Sequence, residues 1–192
     1  ISVISLVSML GVTVGVLALV VALALMTGLQ QGVRDRVLGS SAHVYVWKPA
    51  GIPDYRAEVR RLSAVPAAAG AAPALMGKAL VSKGDQQQFI TIKGIDPALE
   101  PAVTEIASSM TSGSFAALGS GGEDALPGIL LGYELASQLG AVVGDAVTVL
   151  TPTGTLSPMG VMPRQRRFTV AGIFRLGLFE FDQAYGFVTL DA

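Results

Sequence analysis

Residues Ile1 to Leu29 carry no charge, and a polar, mixed sequence then runs to Ala192. A charge-free run longer than the ~20 residues needed to cross a bilayer reads as a transmembrane helix. At ~1.5 Å rise per residue it reaches ~44 Å against a hydrocarbon core of ~30 Å, so the helix spans and still protrudes. The polar remainder is therefore expected to work tethered to a membrane.

A secretory signal peptide is the competing reading, with Ala22-Leu23-Ala24 as a weak cleavage pattern. The run is much longer than the ~7–15 residues of a signal core, and no basic segment precedes it. The helical pattern also continues past the cleavage pattern, so a retained helix is expected. The start at Ile1 suggests a trimmed fragment, which leaves the positive-inside rule nothing to act on. Met26, Leu29, Val33 and Val37 recur at helical spacing, while Gln30, Arg34 and Asp35 lie on other faces. This predicts an amphipathic stalk that stops at Gly39-Ser40-Ser41.

In the remainder, His43 to Trp47 reads as a short strand, and Asp54 as the cap of a helix with Tyr55, Val59 and Leu62 on its apolar side. The Ala-, Gly- and Pro-rich stretch from Ala64 leads into a strand at Leu75 to Ser82. Gly84-Asp85 turns the chain into a second strand, Gln88 to Ile95, in which Phe89, Thr91 and Lys93 alternate with Ile90, Ile92 and Gly94. Asp96 to Leu126 has little periodicity and reads as an inserted, loop-rich subdomain. Further strands are expected at Gly128 to Leu131, Ala146 to Leu150, Arg167 to Phe174 and Gly186 to Leu190. A helix from Gly132 to Leu139, stopped by Gly140, sits among them. The pattern is α+β, hairpins with a few short helices rather than repeating βαβ units. The expected division is a transmembrane helix and stalk over residues 1–39, then one domain over 40–192 with an insert at about 96–126.

Little in the chain suggests catalysis. Net charge is −1, from 13 basic and 14 acidic residues, which offers no nucleic-acid surface. With no cysteine there is no disulfide, thiolate metal site or cysteine nucleophile. His43 is the one histidine and reads as structural, since metal sites need several convergent ligands. A P-loop is absent, so ATP is not bound through one here, and Gly119 to Asp124 reads as a flexible loop. No G-x-S-x-G elbow exists, and Ser82-Lys83 lacks context. Glu180 and Asp182 would share one side of an extended segment, where a solvated strand edge is the simple reading and an acid pair the sharper one. No catalytic, cofactor-binding or metal-binding residue is expected.

Two features suggest contacts instead. Gly11 and Gly15 form a G-x-x-x-G in the apolar run, a spacing that lets another helix approach closely. Thr151 to Pro163 joins two strands through 13 residues, against the usual 2–5 of a hairpin loop. Pro152, Pro158 and Pro163 stiffen it, and Leu156, Met159, Val161 and Met162 are apolar, which suits a partner-binding arm. Arg164, Arg166 and Arg167 at its base add polar contacts; a loop folded over its own domain is the alternative.

The residues also carry a resemblance. Gly11-Val-Thr-Val-Gly15, the run Ala18 to Gln30, Arg34-Asp-Arg-Val-Leu-Gly39 and Ala42-His-Val-Tyr-Val46 resemble the first membrane helix and the start of the following domain in lipoprotein-releasing permeases of the LolC/LolE family. So do Gly128-Ile-Leu-Leu-Gly132, Leu135-Ala136, Leu139-Gly140, Val143-Gly-Asp145, Pro152, Gly154, Pro163 to Phe168, Val170 to Phe174, and Glu180-Phe-Asp182. Residues Ala64 to Leu126 match less well.

The resemblance implies a permease of the MacB/FtsX class, with four membrane helices and a periplasmic domain between the first two. That domain is a MacB-like periplasmic core, a porter-like α/β part with an inserted sabre-like part. The chain would be helix one plus that domain, cut before helix two, in the bacterial inner membrane with residues after about 30 in the periplasm. The implied partners are a LolD-type ATPase that binds ATP and Mg, a second permease subunit, lipoproteins and a LolA-type periplasmic chaperone. A chaperone-gripping hook would map to Pro152, Thr153, Gly154, Leu156, Pro158, Met159, Val161, Met162 and Pro163, and a pad to Gln165 and Arg166. Val16 and Val20 are candidates for facing lipid anchors. A related permease for efflux or cell-wall hydrolase activation, and a membrane-anchored periplasmic enzyme, are the alternatives. LolC-type, LolE-type and hybrid permeases stay open.

Overall fold

The computed structural model describes residues 2–49, 51–66, 68–119, 125–157 and 160–192; at 33, 35–38, 40, 153–157 and 160–163 only the backbone is described. The chain forms two units, Ile1–Leu38 and Gly39–Ala192. Helix α1 runs Val3–Ser40, ~57 Å at ~1.5 Å per residue, and its expected stop is observed. Its portion Val3–Gly32 is long and apolar enough to cross a membrane, and none of it is buried in the protein. Thr13 and Thr27 donate their hydroxyls to the Met9 and Leu23 carbonyls, both at 2.8 Å. Each hydroxyl is thereby satisfied within the helix, as an apolar surrounding demands.

The second unit is built on a closed sheet. β1 (Ala74–Lys83) turns through Gly84, at φ +57°, into antiparallel β2 (Gln86–Ile95). β2 runs parallel to β7 (Tyr185–Thr189), which is antiparallel to β4 (Gly128–Gly132). β4 is parallel to β6 (Gly160–Phe174), and β6 is antiparallel to β5 (Ala146–Ser157). β5 returns to β1 through Leu80↔Leu150, Val81↔Val149 and Ser82↔Thr148, which closes a ring of six strands. β3 (Met110–Gly113) extends the sheet along β6. The architecture is α+β, as expected.

Two apolar clusters fill the faces. Val81, Ile90, Ile129, Leu131, Val147, Val149, Phe168 and Val170 form the first, together with Leu135, Ala136 and Leu139 of helix α3 (Tyr133–Leu139). All five residues of β4 are buried, which accounts for its unbroken apolar pattern. Gly140 ends α3 at φ +60°, and Ala141 N–H reaches back to the Ala136 carbonyl at 2.8 Å, a Schellman closure. The second cluster holds Ile95, Ile106, Leu118, Leu130, Phe174 and Phe187. Residues 96–126, expected as an insert, supply β3, Ile106 and Leu118 to this same sheet and core; residues 120–124 lie outside the described residues.

Three local expectations change. His43 to Trp47 is not a strand: among the described residues it pairs with no other strand, all five residues are exposed, and Trp47 is 84% exposed. The β propensity there finds no sheet edge to join. Glu180 and Asp182 are not on an extended edge but in helix α4 (Phe179–Ala184), where Phe181 stacks on Tyr185, four residues on, with centroids 4.5 Å apart. Asp182 is buried and accepts the Leu176 and Gly177 N–H groups at 2.8 and 3.1 Å. That spends its carboxylate on the backbone and leaves no acid pair. Finally, of the stretch Thr151 to Pro163, expected as a loop, residues 151–157 and 160–163 are strand, and 158–159 lie outside the described residues. Helix α2 (Tyr55–Ser63) is as expected, with the Asp54 carboxylate accepting Ala57 N–H at 2.9 Å.

Candidate functional site

β5 and β6 outrun the barrel. β5 pairs with β1 only as far as Leu150, and from Thr151 onward its sole partner is β6. The ladder is regular from Ala146↔Thr169 to Thr151↔Arg164, then resumes at Thr155↔Met162 and continues to Ser157↔Gly160. Between these stretches Pro152, Thr153 and Gly154 stand opposite Pro163 alone, so β5 carries two extra residues. Proline has no N–H to give a ladder, and a bulge is where a sheet tolerates it. Pro152 and Pro163, two of the prolines that suggested a loop, thus mark a slip in a paired ribbon. At ~3.3 Å per residue, the part beyond Leu150 reaches ~20 Å. Of the residues mapped to a hook, Pro152, Thr153, Gly154, Leu156, Val161, Met162 and Pro163 lie on this ribbon, whereas Pro158 and Met159 lie outside the described residues.

The ribbon's base is cationic. Arg164, Gln165, Arg166 and Arg167 are all exposed, and among the described residues none of these arginines has an ion-pair partner. Successive strand residues face opposite ways. Arg166 sits opposite Val149 and shares its face with Arg164, while Gln165 sits opposite Leu150 and shares its face with Arg167. Gln165 and Arg166, grouped as a pad, therefore point to opposite sides of β6.

Gly11 and Gly15 have open space where a Cβ would stand. At ~100° per residue, the Gly11/Gly15 pair and the Val16/Val20 pair centre roughly 140° apart around the helix. Close packing and lipid contact would thus use different faces. Val16 and Val20 are both more than half exposed.

Two ion pairs brace the domain, and sequence spacing showed neither. Lys93 shares strand parity with exposed Phe89, yet it is buried. Its ammonium donates to Glu100 Oε1 at 2.7 Å and lies 5.7 Å from the Phe187 ring centre. Glu100, 1% exposed, also accepts the Thr104 hydroxyl at 3.0 Å. Near the ribbon, Lys83 bonds Asp145 at 2.5 Å and the Gly140 carbonyl, while Asp145 also accepts Val142 N–H at 2.9 Å. The Lys83 bond, then the Val142 N–H, holds the Asp145 carboxyl below the usual aspartate range. A cleft of about 30 Å³ beside Lys93, Tyr185 and Phe187 has room for about one water. Among the described residues no three His, Cys, Asp or Glu converge on a metal position.

Comparison with known proteins agrees with this architecture. The model of the MacB-like periplasmic core domain matches residues 5–191. The chain is 40% identical to the lipoprotein-releasing system transmembrane protein LolC of Xylella fastidiosa (strain Temecula1), covering 100% of this chain and 45% of that protein. It is 35% identical to LolC of Neisseria meningitidis, over 95% of this chain and 43% of that protein. It is 24% identical to LolE of Haemophilus influenzae, over 95% and 44%. The chain spans somewhat less than half the length of these relatives. With nearly every residue matched and a membrane-length helix leading into a closed α+β domain, the chain belongs to the family of MacB-like periplasmic core domains.

Proposed function

We propose that this chain is the first membrane helix and periplasmic domain of a lipoprotein-releasing permease in the bacterial inner membrane. The similarity to LolC and LolE proteins supports this reading. The observation that carries the finer assignment is the β5–β6 ribbon beyond Leu150, free of the barrel and based on exposed arginines. It is the hook that takes hold of a LolA-type chaperone, with Gln165 and Arg166 contributing from its base. Pulling an acyl chain from a membrane costs ~0.8 kcal/mol per buried CH₂. The work comes from a LolD-type ATPase, which holds the ATP and Mg, acting on this subunit and a second permease subunit. The unbroken helix from Val3 to Ser40 suits transmission of that motion.

The test is capture of a LolA-type chaperone by the chain in detergent, with and without residues Thr155 to Met162. Binding that disappears with the deletion, while the circular dichroism spectrum of the domain persists, supports the hook. Equal binding by both forms, or none by the intact folded chain, overturns it. A permease further requires three more hydrophobic spans beyond Ala192 in the full-length protein, whereas a membrane-anchored enzyme requires none.

A further inference from the structure

Gly39, the first residue of the second unit, is fastened to that unit at once. Glu105 N–H donates to the Gly39 carbonyl at 3.0 Å, and a Cβ on Gly39 would stand 2.6 Å from Glu105 Oε2. Ser41 and Tyr45, a few residues on, line the cleft of about 30 Å³ with Lys93 of β2, Phe181 of α4, and Tyr185 and Phe187 of β7. Residues 39–45 therefore form a strap held against the domain at both ends. The two anchors share a source, since Glu105 bonds Gly39 and Glu100, in the same segment, bonds Lys93. At Lys93 the ammonium has more donors than the protein takes up. It carries three N–H groups, and the side chain is buried, so bulk water does not serve them. One N–H goes to Glu100 Oε1 at 2.7 Å. The Phe187 ring, its centre 5.7 Å away, attracts the charge through its face. Among the described residues no second oxygen bonds Nζ. Buried polar groups find their partners in protein or in ordered water.

We infer that the cleft binds one ordered water, which accepts a hydrogen bond from Lys93 Nζ and donates to a strap hydroxyl, that of Ser41 or Tyr45, so that the Lys93–Glu100 pair fastens residues 39–45 to the barrel. Three observations carry this. The first is size: a single water needs roughly 10–15 Å³ of such space, so the cleft admits one and is too small for a larger ligand. The second is the supply of partners. Ser41, Tyr45 and Tyr185 bring hydroxyls that accept as well as donate, and with Lys93 they offer the roughly two to four polar contacts a buried water requires. The third is charge. Glu100 already matches Lys93, and the other residues lining the cleft are uncharged, which suits a neutral ligand rather than an ion. A bridging water of this kind holds nearly as well as a direct hydrogen bond. The strap needs such a bridge, because among the described residues His43 to Trp47 pairs with no strand.

A crystal structure of the full chain in detergent, at a resolution that shows solvent, should place one water within hydrogen-bonding distance of both Lys93 Nζ and the Ser41 or Tyr45 hydroxyl. A dry cleft, or a water that does not reach Nζ, overturns the inference. In solution, nitrogen-15 relaxation of the deuterated full chain gives backbone order parameters for Ala42 to Tyr45. Wild-type values near ~0.85, those of rigid backbone, are expected to fall below about 0.6 in K93M/E100L. That double change removes the donors and the charge together, so no ion is left stranded. S41A/Y45F, which takes both strap hydroxyls and leaves the Lys93–Glu100 pair in place, is expected to loosen the same residues. Order parameters for Gly128 to Gly132 of buried β4 should stay at the wild-type level in S41A/Y45F, which separates a loosened strap from a loosened domain. Strap values equal to wild type in both variants overturn the fastening even where the water is seen. Neither experiment bears on the hook.

Discussion

Lys93 and Glu100 form an ion pair inside the domain, 5% and 1% exposed. A lysine on the same strand face as exposed Phe89 belongs, by periodicity, to a solvated side. It is buried because the chain after β2 folds Glu100 and Thr104 over it, so its charge meets a carboxylate 2.7 Å away. No local pattern encodes that return. A buried pair is weak evidence of net stability, but breaking it strands a charge. Lys93→Met is therefore expected to cost about 3–5 kcal/mol in urea unfolding, and Lys93→Met with Glu100→Leu distinctly less than the sum of the single changes. Strict additivity would show that the pair does not act as a unit. Asp145 behaves differently because its carboxyl is held below the usual range by Lys83 and the Val142 N–H. A depressed folded-state value means the contribution is present above the unfolded value and lost as pH falls through the folded one. The stability gap between wild type and Asp145→Asn should close as the pH is lowered into the acid range. A gap independent of pH would refute the assignment.

At the scale of elements, the strands with unbroken or alternating apolar patterns were legible, and the irregular pieces were not. β4, β1 and α3 follow their periodicity and their glycine stops because burial enforces both. For the ribbon, local rules favour a loop because three prolines and two glycines are breakers in any local account. The two strands absorb Pro152, Gly154 and Pro163 in a register slip, which requires knowing that they face each other. An extended segment would put Glu180 and Asp182 on one side of a strand edge; the Phe181–Tyr185 stack and the backbone bonds of Asp182 instead belong to helix α4. Gly132 belongs to the same locality, since a Cβ there would overlap the Asp182 backbone, with its Cα at 2.8 Å. Pro152 to Pro163 stands out in the sequence as one stretch, whereas the opposite facing of Gln165 and Arg166 emerges only once both are placed on a strand. A chaperone that uses one face of β6 should lose affinity with Arg164→Glu/Arg166→Glu or with Gln165→Glu/Arg167→Glu, and keep it with the other pair. Titration by calorimetry decides; equal loss with both pairs would mean the partner wraps the ribbon.

For the whole molecule, the two units bury their apolar surface in different media. α1 over Val3–Gly32 buries nothing within the protein and needs a bilayer. Every member of both apolar clusters lies between Ala79 and Ala192, and the six-stranded ring closes on itself without a contribution from residues 1–38. At about 150 residues such a domain buries enough surface to fold unaided. Residues 39–192 expressed alone should therefore be soluble, give a β-rich spectrum, and unfold in one cooperative transition at the same urea midpoint by tryptophan-independent probes as the domain in the full chain in detergent. The Lys93→Met loss should carry over unchanged in magnitude, because its partners are all within the domain. A midpoint that falls sharply on removing residues 1–38 would show that the helix contributes to the domain's stability, and that the two units do not fold independently.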